Sequence, residues 1–151
     1  MKNYIKNNLF YSIMLLGVFF VLALASGEEE TEKEVVEKLE TEEAIQISST
    51  QIYKDYDDNE VAADNKYKDK VVEVKGKIID ISKDYSDDIV IKLNGLIDNE
   101  YEIVGVSCTF SKSHNSEAAS LSKGQIITIR GKCDGKLMGP DISGCSLVKS
   151  E

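Results

Sequence analysis

Three cysteines and one histidine are the side chains of this sequence with the most distinctive chemistry. Cys133 and Cys145 flank a loop of glycine, proline and aspartate, and Cys108 precedes them. Together they could form a redox pair, a metal site, a structural bridge or part of an apolar core. The cysteines have neither Cys-x-x-Cys spacing nor paired zinc-ligand spacing, and His114 is the only histidine. The spacing therefore disfavours a redox centre, a zinc site and a Cys–His nucleophile.

An acidic run at residues 55–60 is the other motif that suggests a site. It resembles the start of a calcium loop, with aspartate or asparagine at alternate positions. Glu60 stands where such a loop needs glycine, and Lys66 stands where it needs a bidentate glutamate. We therefore interpret the run as a solvated helix face. The sequence predicts no catalytic residue, no metal and no cofactor, and the protein is not expected to be an enzyme.

The N-terminus has the pattern of an export signal. Two lysines precede the apolar run "IMLLGVFFVLALA" at residues 13–25, which ends in a small-x-small cleavage pattern. We expect residues 1–27 to be a cleaved signal peptide or an uncleaved membrane anchor. Both alternatives place the rest of the chain outside the cytoplasm, as a secreted, periplasmic or outward-facing membrane-anchored protein. Gly27 replaces the cysteine of a lipoprotein box, so acylation is not expected there.

A strongly acidic segment follows this signal. Nine glutamates and two lysines lie between Glu28 and Glu43, whereas the rest of the chain is only moderately acidic. Such a segment has too little apolar surface to offset the entropy of ordering it. We predict that residues 28–50 are an acidic flexible linker and that residues 51–151 form the folded domain.

The apolar periodicity changes along the domain. A partial helical stripe begins at residue 51, and Asn65 is a plausible terminator. A period of two follows, with a phase slip near Gly76 that predicts a β-bulge. A short helical stretch, "NSEAASLSKG", separates the third predicted strand from the fourth. The five alternating runs are "VVEVKGKIIDIS", "IVIKLNG", "VGVSCTF", "QIITIRGKC" and "ISGCSLV".

This order, with bulge glycines at Gly76 and Gly131, is typical of an oligonucleotide/oligosaccharide-binding (OB) fold. We predict a mainly β, five-stranded OB-fold barrel with an N-terminal helix and a short helix between strands 3 and 4. Residues 53–148 resemble the bacterial tRNA_anti-like OB-fold domain. That resemblance rests on "NEVAADNKYKDKVVEVKGKIIDISKD", "VSCTF", "EAASLSKGQIITIRGKCDG" and "ISGCSLV". It implies an exported OB domain and identifies a fold rather than an activity.

The three cysteines all fall on the apolar side of their predicted strands, which predicts that they face the barrel interior. In the usual OB order, 1-2-3-5-4, the fifth strand lies between the third and the fourth. Cys145 could then neighbour either Cys133 or Cys108, and neighbouring thiols oxidise readily outside the cytoplasm. We expect a Cys133–Cys145 disulfide. A Cys108–Cys145 disulfide and buried free thiols are the alternatives.

The resemblance also implies a ligand face, formed by the outside of strands two and three and by the loops after strands one and four. On this sequence the candidate ligand residues are Lys83, Tyr85, Asp87, Asp88, Lys92 and Lys136. Nucleic acid would need a cationic groove with aromatic side chains, and an acidic domain disfavours it. We therefore predict an extracytoplasmic, non-enzymatic binding module for an envelope protein, a peptide or a glycan. The alternative is an oligonucleotide-binding OB domain.

Overall fold

The computed structural model describes residues 37–39, 41–96 and 104–151. These residues belong to a compact unit that spans Glu32–Glu151. The predictions for residues 1–27 and for most of the linker lie outside the described residues. Within the described part of the chain, none of the helices has the length and apolar character needed to cross a membrane.

Six strands and three α-helices make up the described unit. In chain order they are β1 (Ile45–Ser48), α1 (Ser49–Asp58), α2 (Glu60–Tyr67), β2 (Val71–Lys83), β3 (Ile89–Asn94), β4 (Gly105–Phe110), α3 (Asn115–Ala119), β5 (Ile126–Lys136) and β6 (Pro140–Ser150). A 3-10 turn at Lys112–His114 precedes α3.

Strands β2 to β6 form a closed five-stranded barrel. Their order is β2–β3–β4–β6–β5, and β5 pairs back with β2. Closure depends on the length of β2, because residues 71–77 pair with β5 whereas residues 78–83 pair with β3. The pairs are antiparallel except for β4–β6, which is parallel. The predicted OB barrel and its strand order are therefore confirmed.

Gly131 marks a true irregularity in the barrel. The register between β5 and β6 shifts between Arg130 and Lys132. A Cβ atom on Gly131 would lie 2.7 Å from the carbonyl oxygen of Ser143, which is too close for any side chain. The glycine therefore lets the β6 backbone approach β5 closely at this register shift, as predicted for a bulge glycine.

Gly76 has a different role from the one expected. The register shift between β2 and β3 lies between Ile78 and Asp80, a few residues after the glycine. A Cβ atom on Gly76 would instead lie 2.3 Å from the Oγ of Ser49, at the start of α1. Gly76 therefore allows α1 to approach β2, and the bulge itself occurs without a glycine.

The helices α1 and α2 pack against the barrel strands. One helix was predicted from residue 51, but the structure has a break at Asn59, whose backbone is extended. The side-chain oxygen of Asn59 accepts a hydrogen bond from the backbone N–H of Ala62 and caps α2. The buried apolar side chains that the two helices contribute are Ile52, Tyr56, Ala63 and Tyr67.

Asp55 joins α1 to α2. Its carboxylate accepts hydrogen bonds from the Tyr67 hydroxyl at 2.5 Å, the Lys66 ammonium at 2.9 Å and the Gln51 amide at 2.6 Å. Burial alone would raise the pKa of Asp55, but these three hydrogen bonds outweigh it and hold the pKa below 3.8. The charged carboxylate therefore stabilises the helix pair.

The strand β1 is an addition to the barrel that the sequence did not predict. Residues 45–50 were expected in the flexible linker, but Ile45–Ser48 pairs in parallel with β2, in register from Ile45–Val72 to Ser48–Lys75. The hydroxyl of Ser48 then caps α1 by accepting from the N–H of Gln51 at 3.1 Å. The folded unit therefore begins before residue 51.

Arg130 holds the chain that leads into β1. We call residues 37–39 and 41–43 the entry segment. The Arg130 guanidinium donates to the carbonyl of Leu39 at 2.7 Å, to the carbonyl of Glu42, and to the Glu73 carboxylate at 2.7 Å. The Leu39 side chain is buried and lies close to Gly144 of β6. The entry segment is thus fixed to the outer surface of β2, β5 and β6.

Candidate ligand-binding face

A strip of half-exposed side chains runs along the outside of β3 and β4. Val90 faces Thr109 across the two strands, and Lys92 faces Ser107. Between them Ile91 points inward and is fully buried. The alternation of the strands therefore separates the core from a mainly polar outer surface. We call Val90, Lys92, Ser107 and Thr109 the outer strip.

The loop between β2 and β3, residues 84–88, lies at one end of the outer strip. The Asp84 carboxylate accepts hydrogen bonds from the backbone N–H of Ser86 at 2.8 Å and of Asp88 at 3.0 Å. Asp87 adopts a left-handed conformation, with φ at 64°. This tight turn leaves the Tyr85 side chain fully exposed to solvent.

The charged residues predicted in and beside this loop form ion pairs, one of them with the turn after β4. Lys83 lies 3.2 Å from the Asp87 carboxylate, and Asp88 lies 3.9 Å from the ammonium of Lys112. The Lys83–Asp87 pair is exposed and stabilises little, whereas the Asp88 carboxylate is largely shielded from solvent. The structure therefore brings Lys83, Tyr85, Asp87 and Asp88 together at one end of the outer strip, whereas Lys92 lies further along β3, opposite Ser107.

The loop between β5 and β6 lies at the opposite end of the strip. A Cβ atom on Gly139 would lie 2.5 Å from the carbonyl of Gly105, the first residue of β4. The Lys136 ammonium donates to the carbonyl of Tyr56 in α1 at 3.3 Å. The sixth predicted ligand residue is thus held by the helix, far along the strip from Tyr85.

The sequence predicted residues 134–141 as part of the ligand face but singled out only Lys136, and two exposed apolar residues of this loop were not named. Leu137 is 86% exposed and Met138 is 95% exposed. They lie in a turn closed by a 3.1 Å hydrogen bond from the N–H of Leu137 to the carbonyl of Gly139. The signal for them was "KLMGP", an apolar pair inside a tight turn, where neither side chain can reach the core.

The charge around the strip is mixed, with an acidic neighbour on β6. Asp141 pairs with Ser107 across β4 and β6. Burial raises the pKa of Asp141, and the nearby Asp134 carboxylate raises it further. On the side of the strip that borders β2, Asp80 pairs with Lys92 across the strands and forms a 2.6 Å ion pair with Lys123. The face is therefore not a cationic groove.

The three cysteines are buried free thiols, and the predicted Cys133–Cys145 disulfide is not formed. The Cys133 thiol lies 3.5 Å from the Tyr56 hydroxyl, and the Cys108 thiol donates to the carbonyl of Val106 at 3.8 Å. Burial raises the pKa of Cys108 and of Cys133, which keeps both thiols protonated and unreactive. The prediction that all three face the interior is confirmed.

The lone histidine lies in the turn after β4, where its Nδ1 is 3.1 Å from a carboxylate oxygen of Glu117. The other oxygen of Glu117 accepts from the backbone N–H of Leu147 at 3.3 Å. His114 therefore belongs to a contact that fixes α3 to β6. In the described ranges no cluster of three potential metal ligands occurs.

A family model for the tRNA_anti-like domain matches residues 1–147. The chain belongs to the tRNA_anti-like family. The match covers nearly the whole sequence and agrees with the closed barrel, so the resemblance noted in the sequence is confirmed. No curated protein matches the chain.

A solved structure from Klebsiella pneumoniae subsp. pneumoniae MGH 78578 is similar to this tRNA_anti-like protein. That protein is described as a "putative nucleic acid-binding lipoprotein". The similarity has a TM-score of 0.53 at 20% sequence identity and covers 69% of this chain and 92% of that chain. At this identity the likeness concerns the fold alone.

Proposed function

We propose that this tRNA_anti-like protein is an extracytoplasmic, non-enzymatic binding module that holds its ligand across the outer strip of β3 and β4. The ligand would extend from Tyr85 at one end to Leu137 and Met138 at the other. The two loops would contact its ends, and Lys92 would contact its middle.

The observation that carries the proposal is the placement of exposed apolar side chains at both ends of one polar strip. Tyr85 is fully exposed, and Leu137 and Met138 are nearly so. Large apolar side chains in contact with water cost free energy that a ligand would recover by covering them. Aromatic and methionine side chains are also enriched where proteins bind partners.

The charges favour a neutral or cationic ligand. The first loop contains Asp84, Asp87 and Asp88, and Asp141 lies beside the strip. A polyanion would be repelled by these carboxylates, whereas a cationic peptide segment of an envelope protein would be attracted. A neutral glycan would fit the serine and threonine hydroxyls and the exposed tyrosine ring. We favour the peptide or protein ligand.

Export is supported by the sequence of residues 1–27, and the non-enzymatic role by the state of the candidate nucleophiles. Cys108 and Cys133 are buried thiols with raised pKa values. A nucleophilic thiol needs the opposite, a lowered pKa and access to a substrate. Cell fractionation with protease treatment of intact cells tests export. The protein should be digested from outside, and full protection would contradict this part of the proposal.

The binding face is tested by capture of envelope proteins on the immobilised full chain. A partner captured by the wild type should be lost with Tyr85→Ser and with the double substitution Leu137→Ser and Met138→Ser. The matched control is Val61→Ser, because Val61 is 73% exposed but lies on α2. Unchanged capture by both loop variants would refute the site.

Oligonucleotide binding is the second candidate, because the similar solved structure is described as a nucleic acid-binding protein. Tyr85 could stack on a base and Lys92 could contact a phosphate. Fluorescence anisotropy of a labelled single-stranded oligonucleotide tests this directly. Binding at physiological salt that weakens steeply as salt is raised would favour this candidate. Absence of binding would eliminate it.

A further inference from the structure

We propose that Met138 is a modification site, at which hydrogen peroxide converts the thioether to a sulfoxide while the three thiols of the barrel stay reduced. The sulfoxide would weaken ligand binding at the loop between β5 and β6. This second step rests on the proposed function, whereas the first rests on the fold alone. Met138 is the only methionine of the chain after residue 14.

The sulfur-containing side chains of the barrel differ in their access to solvent. Met138 is 95% exposed, whereas Cys108, Cys133 and Cys145 have no exposed surface. An accessible thiol is normally oxidised before a thioether, because its thiolate is a strong nucleophile. Burial reverses this order, because peroxide reaches the thiols only in molecules that have opened, a fraction on the order of one in a thousand or fewer.

The exposure of Met138 is fixed by the backbone on both sides of the loop tip. Gly135, before the tip, has φ at 103° and lies against α2, where an added Cβ would be 3.2 Å from the carboxylate of Asp64. Gly139, after the tip, is buried against the carbonyl of Gly105. Both ends of the tip are thus packed against other elements, so the Met138 side chain stays in solvent.

The reaction transfers one oxygen atom to sulfur. A lone pair of the thioether attacks one peroxide oxygen, an S–O bond forms and the O–O bond breaks. The displaced hydroxide takes the remaining hydroxyl proton and leaves as water, so the sulfur loses two electrons and the peroxide gains them. A thioether has no proton to lose, so the rate at Met138 should not change between about pH 5 and pH 8, whereas the rate at a thiol rises with its thiolate fraction.

Oxidation changes the chemical character of the exposed pair Leu137 and Met138. The sulfoxide oxygen is a strong hydrogen-bond acceptor, and a ligand that covers it must remove it from water, which costs free energy. Methionine oxidation disrupts apolar contact surfaces in this way, and methionine sulfoxide reductases reverse it. The loop would therefore bind its ligand in the thioether form and release it in the sulfoxide form.

Peptide mapping of the full chain tests the selectivity. The folded protein is treated with hydrogen peroxide, then denatured, alkylated and digested. Trypsin separates the sulfur-containing residues into three peptides, namely 93–112 with Cys108, 133–136 with Cys133, and 137–149 with Met138 and Cys145. We expect one added oxygen on Met138, located by fragmentation, and full alkylation of the cysteines. In urea the thiols should be oxidised first. Loss of any thiol before Met138 in the folded protein, or an unmodified Met138, would overturn the proposal.

Hydrophobic-interaction chromatography on phenyl-agarose tests the change at the surface. Peroxide-treated wild type should elute earlier than untreated wild type, because an exposed apolar side chain has become polar. Val61→Ser should shift as the wild type does, and Met138→Leu should elute at the same position before and after treatment. Methionine sulfoxide reductases should restore the original elution. A shift of equal size in Met138→Leu would refute the assignment of the modified residue.

Capture of envelope proteins tests the consequence for binding. A partner that is lost with Tyr85→Ser should also be lost when the wild type is oxidised, whereas capture by Met138→Leu should not change on peroxide treatment. Unchanged capture by the oxidised wild type would refute the effect on binding. If the loop variants capture the partner as the wild type does, the proposed function fails, and the peptide map still decides whether Met138 is the modified residue.

Discussion

Replacing Arg130 with methionine removes the guanidinium that fixes the entry segment and keeps most of the aliphatic stem. Arg130 is 13% exposed, and its partner Glu73 is 18% exposed. The variant loses a charged pair and two hydrogen bonds to the carbonyls of Leu39 and Glu42. Breaking a buried ion pair from one side costs about 3–5 kcal/mol.

The expected loss is somewhat smaller than that range. Glu73 is close enough to solvent to be rehydrated, and the two carbonyls regain water once the entry segment detaches. This rehydration reduces the loss from the ion pair to about 1 kcal/mol, and exposing the buried Leu39 side chain adds about 1.5–3 kcal/mol. We therefore expect Arg130→Met to lower the free energy of unfolding by about 2–4 kcal/mol, measured by urea denaturation.

A second assay reports where the destabilisation occurs. Trypsin can cleave after Lys38 only when the neighbouring Leu39 leaves its buried position. Arg130→Met should therefore be cut at Lys38 well before the barrel unfolds. The control is Lys75→Gln, because the Lys75–Glu151 ion pair is exposed and should contribute less than about 1 kcal/mol. Equal stability of Arg130→Met and wild type, with unchanged cleavage at Lys38, would refute the reasoning.

Three further predictions follow from the helices and the barrel. The folded pKa of Asp55 is lowered, so its stabilisation is complete above the unfolded pKa of about 4 and is lost as the pH falls through the folded pKa. The stability advantage of wild type over Asp55→Asn should therefore shrink below about pH 4 in acid titrations, and a constant gap would contradict it. Gly131→Ala should destabilise by about 1–3 kcal/mol in thermal unfolding, because its Cβ would meet backbone and sulfur atoms. Tyr56→Phe should cost about 1 kcal/mol by urea denaturation through loss of its bond to Asp64, whereas Tyr85→Phe should change nothing.

The barrel could be predicted because alternation is a strong local signal. In β5, Ile127, Ile129 and Cys133 face inward as their spacing requires. The strand β1 could not be predicted in the same way. Its four residues, Ile45–Ser48, follow an acidic segment, and only pairing with the edge of β2 makes them a strand. Long-range pairing of this kind leaves no periodic signal in so short a stretch.

In the candidate site, too, some features could be predicted from neighbouring residues, whereas others depend on contacts with distant residues. The turn at Tyr85 was readable from its aspartates and serine. Leu137 and Met138 were not, because apolar residues beside a strand are ordinarily assigned to the core. The alternation of β5 gives the outward direction of Arg130, but its partner Leu39 lies 91 residues upstream. Alternation within a strand predicts which way a side chain points, but it does not identify a contact partner so far away in the sequence.

Arg130 binds the entry segment on the side of the barrel opposite to the outer strip. In the ring of strands β5 borders β2 and β6, whereas β3 and β4 lie across the barrel axis from it. The entry segment is thus held on the β5 side of the barrel, and the outer strip lies on the opposite side. A ligand bound on the outer strip, as proposed, would therefore not displace the entry segment. For a protein anchored by residues 1–27, one of the two alternatives that the sequence offers, a longer upstream chain would extend the reach of the barrel without changing which side it presents.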